Sequence, residues 1–126
     1  KCNEARTMIF KNNGDLTFSP NELPLEAQFS KTNSIIVDDF DRDEKDDLLL
    51  LGNFYSYRPQ LGESDASFGL FLKGDGNGNF IPVTPHACGL FADGDVRSAV
   101  IVKGVCGRRK LVVGRNDDEV GVFFIR

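Results

Sequence analysis

Six of the ten residues from Asp38 to Asp47 are aspartates: Asp38, Asp39, Asp41, Asp43, Asp46 and Asp47. Carboxylates this dense repel one another. At about 4 Å and an effective dielectric near 20, one like-charge pair costs on the order of 4 kcal/mol. Either the loop splays its acids into water or a cation gathers them. The spacing suits a cation: Asp39, Asp41, Asp43 and Asp47 fall at positions 1, 3, 5 and 9 of a loop, with the Lys45 carbonyl at position 7. Alternate residues curling inward present hard oxygen donors to one point, and Ca²⁺ takes 6–8 such ligands. Arg42, Glu44 and Lys45 belong to the part of the loop that faces water. The loop is not an EF-hand, which requires Glu at position 12 between two helices; counting from Asp39, position 12 is Leu50.

Other chemistry-bearing groups are sparser. Asp75-Gly-Asn-Gly-Asn79 also alternates oxygen donors, but no fifth ligand follows, and it reads as a hairpin turn. Tyr55, Tyr57, Arg58 and Asp65 lie on a long connection between strands. They are either a sugar- or peptide-binding set, or rings packed on a sheet with an Arg58–Asp65 pair. The single His86 has no evident nucleophile beside it, so a catalytic triad has no support. The three cysteines, Cys2, Cys88 and Cys106, contain no C-x-x-C spacing, which excludes the common zinc and redox motifs. They read as small buried hydrophobes, and a Cys88–Cys106 bridge stays open at this level.

The elements that must position the acidic loop are strands. Ser34–Val37 precedes it and Leu48–Leu51 follows it. Further strands are predicted at 67–73, 96–102, 110–114 and 120–125. Two hairpins share one plan: Ile9 to Phe18 around Asn13-Gly-Asp15, and Leu70 to Phe80 around Gly76-Asn-Gly78, where Gly and Asn supply the positive φ of tight turns. Each is followed by a proline-containing linker and another strand, which suggests a repeat. The expected organisation is a single segment over 1–126: residues 1–30 end one unit, 34–92 form a complete unit, and 95–126 begin another. The strands are apolar runs rather than alternations, a sign of burial on both faces. In an antiparallel protein this points to stacked sheets, for which a β-propeller is one solution. The helix candidate at 20–29 is broken by Pro24.

Val37-Asp-Asp-Phe-Asp-Arg-Asp-Glu-Lys-Asp-Asp-Leu48 resembles the core of the FG-GAP/VCBS repeat, approximately D-F-D-G-D-G-x-x-D-L. Lys73-Gly-Asp-Gly-Asn-Gly-Asn-Phe80 is similar to the family's second signature, N-x-G-D-G-x-F, and Asn12–Phe18 is similar to a further copy. The stretch from Gly52 through Gly69 looks like the insert in terminal blades of extracytoplasmic bacterial members. The resemblance implies an all-β fold of antiparallel four-stranded β-propeller blades, about two of them present, like those of integrin α-chains. It also implies Ca²⁺ held by Asp39, Asp41, Asp43, the Lys45 carbonyl and Asp47. Two departures stand out. The family's frequent glycines at loop positions 4 and 6 are Arg42 and Glu44 here. A non-glycine residue with positive φ costs roughly 1 kcal/mol. The alternative to a bound ion is neutralisation of the acids by Arg42 or Lys45.

Composition sets the bounds. The chain has 126 residues, 40% hydrophobic and 27% charged, which fits one globular domain. A net charge of −4 argues against a nucleic-acid surface, and Arg108-Arg-Lys110 reads as a solvated hairpin turn. No apolar stretch reaches the length of a membrane span. The expectation is a non-catalytic, calcium-binding structural or interaction module, extracellular, periplasmic or at the cell surface, probing a protein or carbohydrate ligand and able to self-associate through open blade edges. It is expected to be a piece of a larger propeller. The competing expectation is an accessory domain of an extracellular hydrolase or a carbohydrate-binding protein.

Overall fold

The computed structural model describes residues 4–53 and 67–125. Among these residues the chain is all-β, with nine strands in three antiparallel sheets. β1 (Met8–Asn12) and β2 (Phe18–Glu22) form a two-stranded hairpin. β3 (Thr32–Asp38), β4 (Asp47–Gly52), β5 (Leu70–Gly74) and β6 (Phe80–Val83) follow one another in a four-stranded meander. β7 (Val96–Lys103), β8 (Arg109–Arg115) and β9 (Gly121–Ile125) form a three-stranded one. Among the described residues helical structure is limited to 3-10 turns at Leu25–Gln28 and Val105–Gly107 and one four-residue helix, α1 (Pro85–Cys88). Among the described residues no helix is long and apolar enough to cross a membrane.

The four-stranded sheet is the middle layer, and β4 is buried along its whole length. Successive strand residues point to opposite faces, so the run of four leucines serves two cores. Leu49 and Leu51 pack with Leu111, Val113 and Val96 of the three-stranded sheet, joined by Phe71 and Phe123. Leu48 and Leu50 pack with Leu72, Leu23 and Ala27, joined by Ile9 of the hairpin. Each fully buried leucine contributes roughly 1.5–3 kcal/mol. Polar side chains also join the layers, Asn53 and Asn33 among them. The Asn53 amide donates to the carbonyls of Ser67 (2.6 Å) and Gly94 (3.3 Å), and its oxygen accepts from the Ser30 hydroxyl. Asn33 donates to the carbonyls of Asn53 and Val96.

This architecture corrects the expected β-propeller. The sheets have two, four and three strands, and none curls or closes on another. The closed circular arrangement of four-stranded blades is therefore absent, and with it the FG-GAP/VCBS, integrin-like identification and the count of about two blades. The physical reason is that apolar runs report burial on two faces and nothing about how sheets are arranged around them. Face-to-face packing of open sheets satisfies Leu48–Leu51 completely. Burial on both faces also holds throughout only for β4: Ile35 and Val37 of β3 and Ile81 of β6 are exposed, as are Val100, Val102, Val122 and Phe124 of the three-stranded sheet and Phe10 and Phe18 of the hairpin.

The individual strands lie where the apolar runs place them, and both glycine-rich turns close hairpins. The segment around Pro24 forms only a single 3-10 turn.

Candidate metal centre

The acidic loop connects β3 to β4, and three features fix its shape. Asp47, at the first position of β4, is fully buried. Its carboxylate accepts the backbone N–H of Gly74 at 2.9 Å and of Phe40 at 3.2 Å, tying the loop's exit to β5 and to its own entry. Arg109 on β8 clamps the entry from the neighbouring sheet. Its guanidinium donates to the Asp38 carboxylate and the Asp39 carbonyl, both at 2.9 Å. Asp39 then organises the turn from inside: its two oxygens accept the N–H groups of Arg42 (2.6 Å), Asp43 (3.1 Å) and Glu44 (3.0 Å).

The backbone requires left-handed conformations at Arg42 (φ 66°) and Glu44 (φ 64°), the two positions where glycine would be easiest. Each costs about 1 kcal/mol relative to glycine. The N–H bonds to Asp39 offset that cost.

The loop brings Asp39, Asp41 and Asp43 together, with one carboxylate oxygen from each lying within 4.8 Å of the others. Asp47 stands outside this group, engaged as described. Lys45 contributes a backbone N–H to Asp43 at 3.1 Å, and its ammonium lies 3.6 Å from the same carboxylate. The residue that the sequence reading missed is Lys73, on β5. Its ammonium pairs with Asp41 and lies 3.2 Å from Asp43. Of the two residues expected to neutralise the acids, Lys45 pairs with Asp43, while no ion pair joins Arg42 to them. Nothing in the local sequence marks Lys73, which is 32 residues beyond Asp41 and arrives through the pairing of β5 with β4.

The electrostatics follow from these contacts. Burial pushes the Asp43 carboxyl up, but the Lys73 hydrogen bond, the Lys45 N–H and both ammonium charges outweigh it, and Asp43 sits below its ordinary value. Lys73 is raised, by its hydrogen bonds to Asp41 first and Asp43 second. The three aspartates offer only hard oxygen donors, with no His or Cys in the group. That donor set suits Ca²⁺ or Mg²⁺ rather than zinc. A carboxylate has about four lone-pair sites, so acceptance of the N–H groups leaves capacity for an ion. The cluster is thus able to chelate a divalent cation, in competition with the Lys73 ammonium.

The remaining candidates are placed as follows. The Asp75 carboxylate accepts the N–H groups of Asn77 and Asn79 and the Asn79 side-chain amide, closing the β5–β6 hairpin as the turn it was read to be. Cys88 and Cys106 are both free and exposed rather than buried hydrophobes, and Cys2 lies outside the described residues. The His86 ring meets Phe91 edge-on at 6.2 Å. Tyr55, Tyr57, Arg58 and Asp65 also lie outside the described residues. Comparison with family models, with curated proteins and with solved structures gives no match to this chain.

Proposed function

We propose that the chain is a non-catalytic calcium-binding module acting outside the cell, in the periplasm or at the cell surface. The observation that carries this reading is the convergence of the Asp39, Asp41 and Asp43 carboxylates within 4.8 Å on a loop whose backbone is already fixed by Asp47 and Arg109. In the proposed site these three carboxylates and the Lys45 carbonyl hold the ion. Asp47 anchors the loop and retains a lone pair for it. Ca²⁺ is preferred over Mg²⁺ because it accepts an irregular set of 6–8 oxygens and sheds water more readily. Displacing Lys73 weakens the site toward the range of extracellular calcium modules, roughly 10⁻⁴–10⁻³ M.

The exposed apolar residues on the outer face of β7–β9 favour a protein partner over a carbohydrate, and the open sheet edges leave self-association available. A second reading is favoured by Lys73: its ammonium serves as the permanent counter-ion, and the loop is structural without metal.

Calcium titration calorimetry of the wild type, Asp43→Ala and Lys73→Gln separates the two. The calcium reading expects weak saturable binding by the wild type, none by Asp43→Ala, and tighter binding by Lys73→Gln, which loses the competing charge. Absence of heat from both the wild type and Lys73→Gln at millimolar calcium would leave the lysine-satisfied loop as the answer.

A further inference from the structure

The four-stranded and three-stranded sheets are bridged along β3 and β7. The Ser34 hydroxyl accepts the Ala99 N–H at 3.1 Å, and the Asn33 amide donates to the Val96 carbonyl at 2.8 Å. Toward β5, β6 and β9 the two sheets leave an open groove, a cavity of about 740 Å³. Strand register gives the direction of the side chains that line it. Leu49, Phe71 and Val83 stand opposite one another across β4, β5 and β6 and so share one face. That face looks toward the three-stranded sheet, because Leu49 is buried with Leu111 and Phe71 packs on the same cluster. Leu111 and Phe123 are partners across β8 and β9 and answer from the other side. The acidic loop closes one end, where the Phe40 ring meets Phe71 edge-on at 5.5 Å.

Lys73 lies two residues beyond Phe71 on β5 and hence on the same face. It lines the groove together with Asp41, and its ammonium is held at the rim by Asp41 and, at 3.2 Å, by Asp43. One side chain therefore borders both the apolar groove and the aspartate cluster.

We propose that the groove binds a small carboxylic acid with an aromatic or aliphatic body, and that its carboxylate takes the Lys73 ammonium once calcium occupies Asp41 and Asp43. The cavity falls within the range of small-molecule sites, roughly 300–1,000 Å³, whose apolar walls take the ligand's body while a few polar groups fix its orientation. A dication on the same two carboxylates removes the partners of Lys73 and repels its charge. The groove then offers that ammonium a new anion beside an apolar wall, where a charge-assisted hydrogen bond is stronger than in open water. The coupling runs both ways: calcium tightens the acid, and the acid tightens calcium by the same factor. The calcium dependence rests on the function proposed above; the recognition of a carboxylate by Lys73 does not.

The test titrates the whole chain with phenylbutyrate, phenylbutanol and phenylbutylamine, at millimolar calcium and again after removal of divalent ions. Calorimetry gives the affinities, backbone amide shifts of Phe71, Lys73 and Phe123 locate the site, and calcium binding is measured separately. Phenylbutyrate is expected to bind on the order of tenfold more tightly with calcium than without. Phenylbutanol should bind equally in both, and phenylbutylamine more weakly with calcium. Asp41→Asn combined with Asp43→Asn frees Lys73 without any metal, while asparagine keeps a side-chain acceptor for the loop's N–H groups. Metal-free, this variant should bind phenylbutyrate as tightly as the calcium-loaded wild type. Adding Lys73→Met should abolish the gain. Adding Lys110→Met, which removes the same charge from above Phe124 on the opposite face of the sheet, should not. A gain in the double variant with no calcium binding by the wild type would refute the calcium dependence and uphold the groove. Calcium binding with no gain for phenylbutyrate, in the wild type and the double variant alike, would overturn the groove and leave the metal site standing. Equal gains for phenylbutyrate and phenylbutanol would remove the role of Lys73 and overturn the proposal as well. Dispersed amide spectra of the variants establish that folding is not what the titrations read.

Discussion

Substitution of Asp47 by alanine separates an anchor from a ligand. Its side chain is fully buried and accepts two backbone N–H groups, from Gly74 and Phe40. Leaving a buried donor without a partner costs about 1–3 kcal/mol. Two orphaned donors give about 2–6 kcal/mol, and the lower half applies because Phe40 is only half-buried and its N–H can recruit water. Asp47→Asn retains one acceptor but turns an NH₂ group toward a donor, so about half the alanine effect is expected. Against a domain stability of about 5–15 kcal/mol, either loss moves a urea midpoint well beyond error. The decisive comparison is urea unfolding in calcium and in metal-free buffer. An anchor loses the same free energy in both, with an unchanged slope. An Asp47→Ala protein within about 0.5 kcal/mol of the wild type in metal-free buffer, diverging only in calcium, would refute the anchoring argument and make Asp47 chiefly a ligand.

Two further outcomes are expected. The Asp75 carboxyl is held at about 2 by the Asn79 side-chain amide and the Asn77 N–H, below an unfolded value of about 3.9. Its contribution is therefore complete above that value and is lost as pH falls toward 2. The melting-temperature gap between wild type and Asp75→Asn should shrink between pH 4 and pH 2, and a gap constant with pH would contradict the turn's dependence on the charge. Leu72, at 0% exposure in the core between the hairpin and the middle sheet, should cost about 2–5 kcal/mol as Leu72→Ala. The exposed Ile81→Ala should change chemical-denaturation stability by about 0.5 kcal/mol or less.

What the sequence made legible was local. Apolar runs located β3, β4, β7 and β9 because burial selects residue type directly, and Gly-Asn turns located hairpins because positive φ selects glycine and asparagine. The convergence of Asp39, Asp41 and Asp43 followed from alternation along a tight loop. What was not legible was everything carried by long-range pairing. Lys73 meets Asp41 only because β5 lies beside β4, and Arg109 meets Asp38 only because two sheets stack. The run at 108–110 looked solvated since no local signal distinguishes a clamp from a surface arginine. The sheet arrangement failed for the same reason: Leu48–Leu51 specify that two faces are covered, while the covering residues, such as Val113 and Leu23, lie far away in the chain.

The four identical leucines of β4 also carry no address. Shifting a strand by one residue against its neighbours normally drives polar side chains inward, and that penalty keeps pairing unique. Along Leu48–Leu51 such a slip exchanges one leucine for another and is nearly silent. Alignment must therefore be read from the strand's ends. At one end Asp47 needs the two N–H groups it accepts; at the other, Gly52 lies so close to the Lys31 carbonyl that a Cβ there would overlap it, and Asn53 reaches Ser67 and Gly94. These three residues act as registration marks for a core that cannot align itself. Weakening them would leave the leucines buried yet let frame-shifted sheets compete during folding.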